Sequence, residues 1–161
     1  MKTWILKALE SARRLEKEGY EFYMNASKST NNGGGKEMFR FLASEESRHY
    51  ETVNNYIRTL GGNPLEMKDE EIAQSGFFSK AEGGRLWDKS DNLDALNISI
   101  QAEDRSIELY SKIHDQTEDL SLKLAMNTLI DEEKKHKSIL EKETEFITET
   151  GEYHDFKTIT S

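Results

Sequence analysis

The sequence has no cysteine, a single proline and no long apolar run, and each absence narrows the possibilities. Without cysteine, the chain forms no disulfide, zinc–thiolate site or iron–sulfur cluster. With Pro64 as its one proline, long uninterrupted helices are possible. No segment approaches the ~18 apolar residues of a membrane span, and the first apolar run is too short for a signal peptide. We therefore expect a cytoplasmic protein that does not contact membranes.

Charge and composition limit the partners further. Hydrophobic residues make up 35% and charged residues 33% of the 161 residues, which is typical of amphipathic helices with charged outer faces. The length suits one domain with a substantial core. Because the net charge is −9, nucleic acid and anionic membrane surfaces are not expected partners.

A Glu-x-x-His motif occurs twice, as Glu46 with His49 and as Glu133 with His136. Residues three apart share a helix face, so each motif can present a carboxylate and an imidazole to one metal ion. One motif alone means little, but the second lies 87 residues after the first, and other residues share that offset. The further pairs are Ala8 and Ala95, Leu9 and Leu96, Glu16 and Glu103, Tyr23 and Tyr110, Leu42 and Leu129, and Glu45 and Glu132. The chain therefore reads as two copies of one helical hairpin.

The repeat selects four carboxylates and two imidazoles as candidate metal ligands: Glu16, Glu46, His49, Glu103, Glu133 and His136. The other two histidines, His114 and His154, do not follow the repeat. Solvated glutamates and ordinary core histidines are the alternative interpretation. The apolar neighbours of the candidate glutamates and the matched spacing of all six residues argue against it, because buried charges need a partner or a metal. Such ligands suit iron or manganese, and two glutamates could bridge a pair of ions.

Apolar periodicity predicts a single domain over residues 1–150, followed by a polar tail at 151–161. Helical hairpins are expected at about 3–60 and 91–148, joined by a crossover at 61–90. Residues 29–35, which include three glycines, should end the first helix and form the turn of the first hairpin. Asp91 with Asp94 resembles a capping arrangement for the third helix.

The crossover sets the expected topology. About 30 extended residues can span ~100 Å, whereas a helix of about 25 residues is only ~38 Å long. The crossover can therefore run the length of the bundle and make the second and third helices parallel. Its apolar residues Phe77, Phe78 and Trp87 suggest a homodimer, in which the glycine loop or the crossover could permit helix exchange between subunits.

The ligand pattern, with one Glu from each of two helices and Glu-x-x-His from each of the others, resembles that of ferritin-like di-iron and di-manganese bundles. The rubrerythrin branch is the most similar, through residues 15–23 and 42–49 and their counterparts 87 residues later. The resemblance covers about residues 5–147. It implies an all-α, ferritin-like four-helix bundle in which the six residues hold two iron ions, with manganese or a mixed pair as alternatives.

Two features of many rubrerythrins are missing from this chain. They usually append a rubredoxin-like iron site held by cysteines, which this chain cannot carry. Many also have an extra carboxylate one turn from the third-helix ligand. Around Glu103 those positions hold Ser99, Ile100, Ser106 and Ile107.

The resemblance implies an oxidoreductase that reduces hydrogen peroxide or oxygen with electrons from a separate donor protein. Ferroxidase and iron handling, as in a ferritin, is one alternative. A non-enzymatic bundle that binds metal or a partner is another. Tyr23 and Tyr110 lie two turns from Glu16 and Glu103 on the same helix faces. They are either core residues or phenols that bond a ligand carboxylate beside the reacting centre.

Overall fold

The protein is described by a computed structural model that covers residues 2–71 and 87–155. It contains four long helices and a short 3-10 helix: α1 (Lys2–Ser29), α2 (Gly33–Thr59), η1 (Met67–Asp69), α3 (Lys89–Gln116) and α4 (Leu120–Thr150). The described residues form no strand, which confirms the predicted all-α four-helix fold. Within these residues, no helix combines the length and apolar character that a membrane span requires.

Side-chain contacts show that α1 and α3 run in opposite directions. Tyr23 of α1 donates a hydrogen bond of 2.6 Å to Glu103 of α3. Tyr110, further along α3, donates to Glu16, which lies earlier in α1. Residue numbers therefore rise along one helix as they fall along the other.

The same reasoning places α2 antiparallel to α4. Glu45 of α2 lies beside His136 of α4, whereas Tyr56, further along α2, lies beside Ser121, near the start of α4. Only three residues separate α1 from α2, so these two helices are also antiparallel. It follows that α2 and α3 are parallel, as the length of the crossover predicts.

In the part of the chain that the structure describes, the core consists of two apolar clusters at opposite ends of the bundle. One contains Phe22, Phe39, Leu96 and Leu140 among others, and the second contains Leu9, Ile57, Ile113 and Met126 among others. Every helix contributes to one cluster before its candidate ligand and to the other cluster after it. The candidate ligands therefore lie between two apolar clusters, which exclude water.

The break between α1 and α2 is shorter than the sequence predicts, because α2 already begins at Gly33. The Asn32 side-chain oxygen caps it by accepting hydrogen bonds from the N–H groups of Gly34 and Gly35, at 2.9 and 3.2 Å. The sequence predicts that these glycines interrupt the helices, whereas they form the first turn of α2. A cap that satisfies two backbone donors offsets their low helix propensity.

The glycines are explained by the polar tail, whose residues 151–155 fold back over this turn. Tyr153 is 7% exposed and donates a 2.7 Å hydrogen bond to Asn92. A Cβ atom on Gly35 would lie 2.8 Å from the Tyr153 ring, and one on Gly34 would overlap the carbonyl oxygen of His154. No sequence motif predicts this docking, because an isolated tyrosine in a polar stretch has no periodicity.

We expect Gly35→Ala to destabilise the fold by about 1–3 kcal/mol, because the added methyl group must displace the Tyr153 ring. Gly33→Ala is the matched control, since its Cβ would meet nothing within 4 Å. That change should be neutral or slightly stabilising, because alanine favours a helix more than glycine does. Urea unfolding measures both variants, and equal stabilities would contradict the tail-docking explanation.

The start of α3 also differs from the prediction. Its cap is Asp88, whose side chain accepts a 2.9 Å hydrogen bond from the N–H of Asp91. The Asp91 side chain returns the contact by accepting from the N–H of Asp88 at 3.0 Å, which forms a capping box. The prediction of a cap at Asp91 with Asp94 is therefore wrong, because the cap lies three residues earlier, at Asp88 with Asp91.

Trp87, the end of the crossover, packs inside its own chain. Its side chain is 7% exposed and lies edge-on against Phe39. Its backbone N–H donates a 3.0 Å hydrogen bond to the carbonyl oxygen of Ser29. Its apolar character therefore does not support the predicted dimer surface. Phe77 and Phe78, the other residues behind that prediction, lie outside the described residues.

Candidate metal centre

The six candidate ligands converge at the middle of the bundle, and none is more than 4% exposed. Their donor atoms form two groups of four, in each of which all atoms lie within 4.8 Å of one another. The groups are Glu16, Glu46, His49 and Glu133, and Glu46, Glu103, Glu133 and His136. Glu46 and Glu133 belong to both groups, and each group contains one histidine. Each group could hold a metal ion, and the two groups share two carboxylates.

Several buried atoms of this cluster have no hydrogen-bond partner: Glu16 Oε2, His49 Nδ1, Glu103 Oε2, both carboxylate oxygens of Glu133, and His136 Nδ1. His49 Nδ1 lies 2.6 Å from Glu133 Oε1, but without the alignment of a hydrogen bond. Unpaired buried polar groups are rare and costly in folded proteins. All six atoms are of the types that ligate iron or manganese, so the residues present fit a pair of such ions.

Two buried tyrosines contact the terminal carboxylates, Glu16 and Glu103, each of which belongs to one of the two groups. Tyr23 donates to Glu103 Oε1 at 2.6 Å, and Tyr110 donates to Glu16 Oε1. Each tyrosine thus binds the glutamate of the other hairpin, not the one two turns away on its own helix. Burial, which has the largest effect, and the charge of the nearby carboxylates raise the pKa of both phenols well above the usual range. They therefore remain protonated donors.

A second pair of glutamates orients the histidines. His49 Nε2 lies 2.7 Å from Glu132 Oε2, and His136 Nε2 lies 3.4 Å from Glu45 Oε1. Such contacts fix the imidazole ring so that its other nitrogen faces the centre. Arg48 ties the pair together, because its guanidinium contacts Glu45 at 3.1 Å and also contacts Glu132.

The sequence patterns do not predict a site role for these two glutamates or for Arg48. The signal for the glutamates was available, since Glu45 and Glu132 share the 87-residue offset and each precedes a candidate ligand. Arg48 gave no such signal, because its counterpart in the repeat is Lys135. His114 and His154, which break the repeat, lie apart from both groups of ligand atoms.

In the metal-free protein, protons balance part of the clustered charge. Burial and repulsion by Glu16 raise the pKa of Glu46 well above its usual range. Burial alone would raise the pKa of Glu16, but the adjacent protonated Glu46 carboxyl and the charge of His49 lower it. Burial alone would lower the pKa of His49, but the charge of Glu16 and contacts with Glu132 raise it to about 9.

These shifts predict that the metal-free protein loses stability as pH rises from about 6.5 to about 9. A histidine whose folded pKa is raised stabilises fully below its unfolded pKa, and this contribution is lost as pH passes the folded value. For His49 the loss is on the order of 3 kcal/mol, and the raised pKa of Glu46 acts in the same direction.

Urea unfolding at several pH values tests this prediction. Iron- or manganese-loaded protein is the comparison, and it should show little of the dependence because ions replace the protons. A metal-free stability that is constant or increases over this pH interval would contradict the expected charge state of the centre.

The helices and the clustered carboxylates and imidazoles define a ferritin-like protein of the di-iron-carboxylate class. The sequence model of the Rubrerythrin family matches residues 7–144, and the chain belongs to that family. No curated protein sequence matches the chain.

Solved structures share the fold. A hypothetical protein from Pyrococcus furiosus is 22% identical, with a TM-score of 0.78 and 93% of each chain covered. The bacterioferritin of Desulfovibrio desulfuricans, described with a diiron site, is 21% identical, with a TM-score of 0.72 and coverage of 99% of this chain and 86% of that one. A ferritin-like, diiron-carboxylate protein of Bacillus anthracis is 18% identical, with a TM-score of 0.66 and coverage of 88% and 95%.

Proposed function

We propose that the protein is an oxidoreductase that reduces hydrogen peroxide, or oxygen, at a pair of iron ions with electrons from a separate donor protein. The supporting observation is that the terminal ligands are held from outside. Tyrosines bond Glu16 and Glu103, and outer glutamates contact His49 and His136. Ligands fixed in this way favour ions that stay bound through a reaction, whereas ions handled as cargo must leave.

In this proposal, Glu16 and His49 would hold one ion, Glu103 and His136 the other, and Glu46 and Glu133 both. Two ferrous ions, when bound, would supply the two electrons that convert hydrogen peroxide and two protons to two molecules of water. Membership of the two four-atom groups supports this assignment.

The remaining residues would keep the centre rigid and dry. Tyr23 and Tyr110, as protonated donors, hold one oxygen of each terminal carboxylate and leave the other oxygen facing the centre. The apolar clusters on both sides exclude bulk water, which strengthens electrostatic interactions within the centre. Preorganised ligands of this kind need little rearrangement during the reaction.

The electrons would come from a site outside these 161 residues. The chain has no cysteine, so it holds no rubredoxin-like iron that could pass electrons to the centre. A separate redox protein would be the reductant, and each turnover would consume two electrons.

Stopped-flow oxidation of di-ferrous protein tests the proposal, followed by a count of the iron that stays bound. We expect oxidation by hydrogen peroxide to be about tenfold faster or more than by oxygen, a barrier difference of about 1.4 kcal/mol. Both ions should be retained after several cycles with a chemical reductant. Faster reaction with oxygen, with iron released and accumulating as mineral, would instead favour a ferroxidase.

A further inference from the structure

A small cavity adjoins the candidate metal centre on the side formed by α1 and α3. Its volume is about 10 Å³, which is close to the space that one water molecule needs. Two ligand carboxylates, Glu46 and Glu103, line it, together with the small residues Gly19, Ala102 and Ser106. The cavity is therefore in contact with both a shared and a terminal ligand.

The cavity lies next to the protein surface. Leu15 and Arg105 line it and also line a larger basin of about 460 Å³ on the same face. Leu15 is partly exposed and Arg105 is exposed. The basin and the cavity therefore share part of their walls, and solvent in the basin lies adjacent to the cavity.

Gly19 keeps this space open. A Cβ atom at this position would lie 3.0 Å from Glu46 Oε2 and 3.3 Å from its Cδ. Among the described residues, the positive-φ glycines are Gly61 and Gly151, so the conformation of Gly19 does not require glycine. A glycine inside a helix costs about 1 kcal/mol relative to alanine. The close approach of Glu46 explains its presence, and Ser106, its counterpart in the repeat, is also small.

Glu103 forms a fixed part of the cavity wall. Its side chain is 2% exposed, and Tyr23 holds its Oε1 by a 2.6 Å hydrogen bond. A molecule much larger than water would therefore collide with this wall.

We propose that this cavity admits reactants of one or two heavy atoms, so that the centre uses hydrogen peroxide or oxygen and rejects alkyl hydroperoxides. The inference rests on the proposed function. An alkyl hydroperoxide takes the same two electrons and two protons as hydrogen peroxide and gives an alcohol and water. The redox chemistry therefore does not discriminate between the two peroxides, and the dimensions of the cavity do.

The first experiment compares hydrogen peroxide with tert-butyl hydroperoxide as oxidants of the di-ferrous protein. We expect hydrogen peroxide to react at least about tenfold faster, the discrimination that a pocket of fixed size can provide. Leu15→Ala, which widens the cavity towards the basin, should reduce this preference. Equal rates with both peroxides in the unmodified protein would overturn the inference. Reaction with neither would instead refute the proposed function and leave the second experiment to decide.

The second experiment does not depend on turnover. Nitric oxide, a two-atom probe of ferrous iron, should bind several-fold more slowly to Gly19→Ala and to Ser106→Val than to the unmodified protein. Gly33→Ala, which adds the same methyl group where no atom lies within 4 Å, should bind it normally. Unchanged binding in both cavity variants would overturn the inference.

Metal content separates blocked access from damage to the centre. Gly19→Ala requires Glu46 to shift by a few tenths of an ångström, so its iron must be counted. Ser106→Val fills the cavity from the opposite helix. If Gly19→Ala loses iron, the Ser106→Val result decides, and a variant that retains its iron and binds nitric oxide at the normal rate would refute the route.

Discussion

Replacing Glu133 with alanine should abolish binding of both metal ions, whereas replacing His136 should weaken binding of one. Glu133 belongs to both groups of ligand atoms, and both of its oxygens lack hydrogen-bond partners. His136 belongs to one group alone. The Glu133 variant should therefore hold no tightly bound iron, and the His136 variant should retain the ion beside His49.

The same variants should separate metal binding from folding. Ligands that bind the native state stabilise it, by about 2.7 kcal/mol at a concentration 100 times Kd. Glu133→Ala should remove this stabilisation from the metal-loaded protein. In the metal-free protein the change should be neutral or stabilising, because removing one of four clustered carboxylates relieves repulsion.

Metal analysis and thermal unfolding with and without a chelator measure these effects. Glu149→Ala, an exposed change on the same helix, is the control and should alter neither occupancy nor melting temperature. One ion retained in Glu133→Ala would contradict the shared-ligand assignment. If the melting temperature of the unmodified protein is the same with and without the chelator, the cluster does not bind metal.

The helices and the six clustered residues could be predicted because both leave periodic signals. Apolar spacing marks the buried face of each helix, and a carboxylate such as Glu16 inside that face is conspicuous. The 87-residue repeat then matches each candidate to a counterpart, such as Glu103. Antiparallel hairpins bring paired positions to the same height, so convergence follows from the positions of the turns.

Contacts between the hairpins left no such signal. Tyr23 lies two turns from Glu16 in sequence, yet it bonds Glu103 across the bundle. Helical spacing describes one helix face, and it does not specify which residue of another helix lies opposite. The docking of Tyr153 and the packing of Gly19 against Glu46 depend in the same way on distances between elements.

The outer glutamates offer a matched pair for the last prediction. Glu45 and Glu132 have equal side-chain exposure, 21%, and both contact Arg48. They differ in distance from the histidines they face, 2.7 Å from Glu132 to His49 and 3.4 Å from Glu45 to His136. The shorter contact should make His49 a stronger metal ligand than His136, because a carboxylate partner raises the basicity of the ring.

We expect Glu132→Gln to weaken metal binding beside His49 by about 10–100-fold, the usual effect of losing such a partner. Glu45→Gln should have a smaller effect beside His136, because its contact is longer. Each effect is measured where one ion position remains, Glu132→Gln in a His136→Ala background and Glu45→Gln in a His49→Ala background. Equal losses in both would contradict the asymmetry.

Arg48→Gln should then weaken both positions, because the guanidinium holds both outer glutamates. Its effect should not add to that of Glu132→Gln, since residues of one ion-pair network couple. Lys135→Gln is the matched control, because Lys135 occupies the equivalent position of the second repeat and is exposed. If Lys135→Gln weakens metal binding as much as Arg48→Gln does, general surface charge rather than the Arg48 contacts sets the affinity. If Arg48→Gln leaves both positions unchanged, the outer glutamates orient the histidines without its help.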